Sequence, residues 1–381
     1  MIRQIMAEFA RLTGLSPVGK SPRRYLWTDA FAVCNFLELY DQTGDERYRQ
    51  LALDLVDQVH NTLGRHRHDD PRTGWISGLD EQEGKKHPTA GGLRIGKKMN
   101  ERGRADPLDE SLEWDRDGQY YHYLTKWMHA LNRVSRVTED CTYNRWAMEL
   151  AKTAHARFTY ILGGQQYMYW KMSINLSYPL VPSMGHHDPL DGFITYKELQ
   201  AAGCKDSEKS SWPDLNAEIA EMGGICEGRR WATDDPLGIG GLLCDAFRVA
   251  QLMLDGNFEQ MNLLEILLED ALLGQEAYAR SNPLRLPGEY RLAFREFGLS
   301  IGLRALERLQ TLVEENAGIF KEQDALHPRI EALSRYVPLG KAIEAFWLEP
   351  KNRQINTWTE HGDINMVMLA TSLGPDGYLR L

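Results

Sequence analysis

The sequence predicts an all-α fold, a two-layer (α/α)6 toroid or barrel built from helical hairpins with long rim loops. Three observations predict it. Apolar residues recur at helical spacing in successive segments joined by short polar turns. Several segments are apolar around most of their circumference and need neighbours on several sides, while others carry one apolar stripe. No sustained valine- and isoleucine-rich strand pattern alternates with them, which disfavours a doubly wound sheet. An inner ring of enclosed helices within an outer ring of amphipathic ones satisfies both kinds. A helical solenoid is the structural alternative, and the uneven repeat length argues against it.

The first hairpin is "DAFAVCNFLELYDQTG" followed by "DERYRQLALDLVDQVHNTL", joined at a glycine-containing turn. "GQYYHYLTKWMHALNRVSRVTED" and "CTYNRWAMELAKTAHARFTYI" repeat the arrangement. A third, shorter pair starts near Asp188 and continues through "WPDLNAEIAEM". The fourth is "GIGGLLCDAFRVAQLML" with "EQMNLLEILLEDALLG", where Gly238, Gly240, Gly241 and Ala246 permit close helix approach. The fifth begins at "GEYRLAFREFGLSIGLRALERLQTL" and returns within "HPRIEALSRYVPLGKAIEAFW". The sixth begins at "TEHGDINMVMLATSLGP", and "IRQIMAEFARL" at the N-terminus is the candidate to close the ring beside it. Residues 1–381 therefore read as one domain, with excursions at 64–107 and 161–190 expected to rim a cavity. Disorder is the competing reading of the first excursion.

A net charge of −10 argues against a nucleic-acid backbone as partner, because phosphate neutralisation needs a basic surface. No window resembles a membrane span or a signal core, so the cytoplasm is the expected location and no membrane partner is expected. Five dispersed cysteines (Cys34, Cys141, Cys204, Cys226, Cys244) with no CxxC pair read as buried thiols. "GGLRIGKK" holds neither a dinucleotide fingerprint nor a Walker A sequence, and no HExxH is present. No cofactor and no metal are expected. Oligomeric state is left open.

The ionisable chemistry gathers just before the helices that start each hairpin. "RRYLWTDAF", "RADPLDESLEWDRDGQYYHY", "SMGHHDPLDG", "GRRWATDDPLGIGG" and "INTWTEHGDIN" all occupy such positions. Local capping explains an aspartate or threonine there, and proline suits a first turn. Capping does not require the adjacent tryptophan, arginine and histidine. If alternate helices point the same way, these starts converge at one end of a central cavity, where helix N-termini add partial positive charge.

Through "YLWTDAF", "WDRDGQYYHYLTKW", "HHDPLDGF" and "TWTEHGDIN" the chain resembles the six-hairpin glycosidase superfamily. The resemblance covers most of the chain in organisation and implies an aromatic carbohydrate cavity with acid/base residues on its rim. Asp117, Asp188, Asp29, Glu360 and His187 are the catalytic candidates. Those for substrate binding are Trp27, Trp114, Arg116, Tyr120, Tyr121, His122, Trp170, Asn175, His186, Asp191, Trp231, Trp358 and His361. Tyr123 and Trp127 read as inter-helix packing. The leading expectation is a glycoside hydrolase in which Asp117 and Asp188 exchange acid and base duties on a short oligosaccharide or glycoside. A sugar epimerase or isomerase using His122, His187 or His361 is the alternative. A noncatalytic carbohydrate-binding protein is the third reading.

Overall fold

The computed structural model describes residues 1–19, 21–203, 212–320 and 323–381, and the fold class is all-α. The chain forms two compact units, residues 10–227 and residues 1–9 with 228–381. Helix α1 (Ile2–Leu12) spans the change from one to the other.

In the unit of residues 10–227, α2 (Leu26–Thr43) packs on α3 (Glu46–Leu63). The short α4 (Glu81–Lys86) and α5 (Glu110–Glu113) follow in the excursion between hairpins. Then come α6 (Tyr121–Thr138) with α7 (Thr142–Phe158), and α8 (Asp188–Ala201) with α9 (Asn216–Cys226). The layering follows from the residues. Every residue of α2 from Leu26 to Leu39 is buried, whereas α3 buries only the stripe of Ala52, Leu55, Val56, Val59, His60 and Leu63. The enclosed helices α2, α6 and α8 pack in succession, each backed by its hairpin partner. Gly44 ends α2 in the left-handed conformation at φ 64°, which glycine adopts at little cost.

Strands enter where the sequence suggested only loop and helix end. β1 (Gln119–Tyr120), β4 (Lys171–Met172) and β5 (Pro179–Val181) form a small antiparallel sheet in the order β1-β4-β5. β2 (Thr159–Leu162) and β3 (Gln165–Met168) form a hairpin over Gly163 and Gly164, both at positive φ. Thr159 to Ile161, expected to end a helix, therefore belong to a strand. The excursion at 64–107 is ordered by long-range bonds to the later one: Glu101 accepts from the Ile174 amide, and Arg102 donates to the Leu180 carbonyl.

In the other unit, α10 (Pro236–Leu254) packs on α11 (Met261–Ser281) and α12 (Ala293–Glu315). The region expected to hold one return helix contains two, α13 (Gln323–Ser334) and α14 (Val337–Leu348). The short α15 (Asn356–Thr359) precedes α16 (Gly362–Leu373), which also packs on α12, and α17 (Asp376–Leu379) closes the chain. Contrary to the expectation that no window resembles a membrane span, α10 is long and apolar enough to qualify, with 72% of its window buried inside the fold. Glycine makes that packing possible. A Cβ on Gly240 would sit 2.0 Å from the Gly298 carbonyl oxygen, and one on Gly302 would sit 2.5 Å from the Gly240 Cα. Cys34 and Cys244 are buried thiols and Cys226 is a half-buried one, but Cys141 is disulfide-bonded, a departure from the thiol expectation. Cys204 lies outside the described residues.

Candidate active site

The expected acid/base partners Asp117 and Asp188 occupy opposite environments. Asp117 is fully buried, and its carboxylate is saturated. Oδ1 accepts from the Gly96 and Gly118 amides at 2.9 and 3.1 Å; Oδ2 accepts from Arg94 Nη1 at 2.9 Å and Arg67 Nη1 at 3.2 Å. Those bonds tie the 64–107 excursion to the start of β1. Two guanidiniums and two amides occupy both oxygens, which gives Asp117 a structural task between the excursion and β1. Asp29, another catalytic candidate, also serves its own surroundings. Its side chain accepts from the Tyr25 amide at 2.9 Å, closing the first turn of α2, and it pairs with buried Arg24 at 3.4 Å.

Asp188 begins α8 but does not cap it: among the described residues, its buried Oδ2 accepts no hydrogen bond. Pro189 takes an early helical position without needing a donor, and Gly185 leaves room for the carboxyl group, since a Cβ there would lie 2.5 Å from it. Across from Asp188 stands His122 on the first turn of α6, with Nδ1 3.6 Å from Asp188 Oδ1. Burial, reinforced by the Asp191 charge and opposed by Lys126, pushes the Asp188 carboxyl up to about 8. That rise represents several kcal/mol. It outweighs the helix N-terminus, which favours the ionised form by ~1 kcal/mol. Burial also pushes the His122 imidazole down to about 4, with Asp191 raising it and Lys126 lowering it. At neutral pH the pair is therefore a protonated carboxylic acid facing an unprotonated imidazole.

One turn further along, Asp191 is held by Thr125 Oγ1 at 2.5 Å and Lys126 Nζ at 2.8 Å. Around His122 the aromatic rings form a wall. Its ring centroid lies 4.9 Å from Tyr123, 5.3 Å from Tyr120 and 6.1 Å from Trp27, and it stacks on Trp170 at 6.2 Å and 17°. Trp114, half exposed, meets Trp170 edge-on at 5.3 Å, and the Tyr25 and Tyr123 hydroxyls share a hydrogen bond of 2.6 Å. Lys171 anchors the wall from behind. Buried against the Tyr120 ring, its Nζ donates to the Glu113 and Arg116 carbonyls and to Glu113 Oε1. The ring wall thus depends on the pairing of Tyr120 with Lys171 across β1 and β4.

Among the remaining candidates, Tyr121 is core: it is fully buried against Phe158 and donates to the Tyr196 hydroxyl. Arg116 serves the site through its carbonyl and the backbone bridge to Met99. Asn175 is exposed, its Oδ1 accepting from Ser173 and Ser177. His186 and His187 lie beside Asp188 in sequence with ring centroids 4.7 Å apart, and His186 is exposed. Trp231, Trp358, Glu360 and His361 belong to the other unit. Trp231 is buried, Trp358 packs on Trp347 and Phe297, Glu360 is exposed and His361 meets Phe294. Among the described residues, no group of three or more His, Cys, Asp or Glu side chains is gathered as a metal would need.

Sequence reasoning missed Tyr25, Lys126 and Thr125 and assigned Tyr123 to packing, while Lys171 was legible as a candidate for the cavity wall together with Tyr169, Trp170 and Asn175. A usable signal existed: His122 and Lys126 are four apart on one helix, Asp188 and Asp191 three apart on another, so each pair shares a face.

No family model matches the chain, and no curated protein matches it. The solved structure described as "Crystal structure of sugar epimerase from ruminal bacterium" is similar at a TM-score of 0.49 and 10% identity, covering 92% of this chain and 87% of that one.

Proposed function

We propose that the protein is a carbohydrate-active enzyme that moves a proton on a small reducing sugar, an epimerase or isomerase, with His122 as base and Asp188 as acid. The observation that carries the reading is the His122–Asp188 pair, 3.6 Å apart, with the imidazole pushed down to about 4 and the carboxyl up to about 8. Two groups with environments that separate their proton affinities are equipped for opposite roles near neutral pH. The imidazole takes the proton from the carbon beside the sugar carbonyl while the carboxylic acid protonates the carbonyl oxygen. Return of a proton to the same carbon from the opposite face gives the epimer; return to the former carbonyl carbon, as the neighbouring hydroxyl gives up its proton to become the new carbonyl, gives the isomer. Trp27, Tyr120, Tyr123 and Trp170 supply flat faces for the apolar side of a sugar ring.

Hydrolysis by the Asp117–Asp188 pair finds less support, because a glycosidase needs a second carboxylate facing the sugar. Asp117 is saturated by its four donors, and Asp191 is bound to Thr125 and Lys126.

The test is incubation with a panel of aldoses and reducing disaccharides in heavy water, followed by NMR. Deuterium should enter the carbon beside the carbonyl, with no smaller sugar released. His122→Gln and Asp188→Asn should each slow that exchange by ~10²–10⁴-fold. Release of a monosaccharide without exchange, or exchange that survives both substitutions, would sink the reading.

A further inference from the structure

The site contains two rungs between α6 and α8. His122 and Asp188 make the upper one at 3.6 Å; Lys126 and Asp191, one helical turn along the same two helices, make the lower one at 2.8 Å. Thr125 Oγ1 holds the second Asp191 oxygen at 2.5 Å, so the lower carboxylate cannot swing toward the upper rung without losing a bond. Both side chains of the lower rung are mostly enclosed, at 15% and 7% exposure, where salt screens weakly.

We propose that the Lys126–Asp191 ion pair is a tuning device for the His122–Asp188 pair, its two members biasing the upper rung in opposite directions. The proposal rests on the reading of His122 and Asp188 as the proton-transfer pair and assigns Lys126 and Asp191 as positioning residues. A fixed negative charge about one turn away favours the protonated forms of both upper groups; a fixed positive charge favours the deprotonated forms. Because the two charges lie 2.8 Å apart, their effects partly cancel, and removing one unmasks the other.

Among the described residues, this pair supplies the charges beside the upper rung. Asp188 faces the Tyr121 hydroxyl, His122 and Lys126 from α6 and Asp191 from its own helix. His122 faces Trp27 from α2, Tyr120 from β1 and Trp170 from the turn before β4, with Tyr123 beside it. Among the described residues, Asp191 and Lys126 are the charges that act on both members of the upper rung.

The experiment follows the Asp188 side-chain carboxyl and the His122 ring by carbon-13 NMR across pH without any sugar, with signals assigned through Asp188→Asn and His122→Gln. In Asp191→Asn both midpoints should fall by about one pH unit; in Lys126→Met both should rise by about as much. Lys126→Arg, which keeps the charge, should stay near the wild type. A purely structural role for the ion pair would not move the midpoints in opposite directions. Should Lys126→Met fail to fold, Lys126→Gln replaces it, and the Asp191→Asn arm decides independently. Midpoints that move the same way in both variants, or stay put in either, overturn the tuning. If they move as stated while no sugar undergoes exchange, the tuning stands and the proposed chemistry falls. Exchange with unmoved midpoints has the reverse meaning.

Discussion

Asp117 and Asp188 are both nearly sealed from water, yet their neighbours differ in kind. Two guanidiniums and two amides face Asp117, whereas Asp188 has an orphan oxygen and a neutral imidazole. Removing the Asp117 carboxylate takes the charged partner from buried Arg94, which keeps only the Arg65 and Thr62 carbonyls, and one of two carboxylates from Arg67, which keeps Asp69. Asp117→Ala should therefore cost about 3–5 kcal/mol in urea unfolding, the usual penalty for breaking a buried pair. A loss below ~1 kcal/mol would show that Arg67 and Arg94 find other partners. The enclosure of Asp117 was not legible in the sequence for a plain reason. Sequence places Arg116 beside it, but its actual cations come from positions 50 and 23 residues upstream. Linear neighbours said nothing about which charges would enclose it.

The helix pair α10 and α12 shows how far a local pattern can be trusted. An excess of small residues at the start of α10 signalled close helix approach, and Gly240 meets Gly298 and Gly302 backbone to backbone. Gly241, its neighbour, is exposed, and a methyl group added there would meet nothing within 4 Å. Alanine at the two positions should therefore act with opposite sign. Gly240→Ala forces the helices apart and should cost at least about 1–3 kcal/mol. Gly241→Ala should add up to ~1 kcal/mol through helix propensity. Thermal melts of the two variants check this, and equal shifts would contradict the packing. The helix period also revealed which members of the hairpins are enclosed, since α2 is buried continuously from Leu26 to Leu39 while α3 buries a stripe. The strands escaped notice because β1, β4 and β5 run for two or three residues each, too short for a period-two pattern.

The buried titrating groups link the site to the pH dependence of folding for the entire chain. Asp188 binds its proton up to about pH 8 when folded and only to 3.8 in its ordinary state. Between those values the folded protein holds a proton that the unfolded chain has released, so stability falls as pH rises across that window. Asp188→Asn removes the effect. The variant should gain on the wild type by up to a few kcal/mol between about pH 5 and about pH 8 in denaturant titrations. A constant difference across that range would refute the raised carboxyl. His122 works from the other side. Its folded value of about 4 lies below the ordinary 6.5, so its contribution is complete above 6.5 and disappears as pH falls through 4. His60, pushed down to about 3 by burial while accepting from the Trp127 indole, adds to acid lability in the same sense.

Periodicity, glycine placement and charge balance determined the all-α class, the hairpin order and the concentration of acids, histidines and aromatic residues before α6 and α8. Those are properties of neighbours within a turn or two, which a linear chain carries openly. Only the tertiary structure decided that Asp117 is enclosed by arginines, that Asp188 has one oxygen without a hydrogen bond among the described residues, and that Trp170 reaches His122 through strand pairing. Burial and long-range partners set those states, because the free energy of a charge depends on what surrounds it in space rather than on what precedes it in sequence.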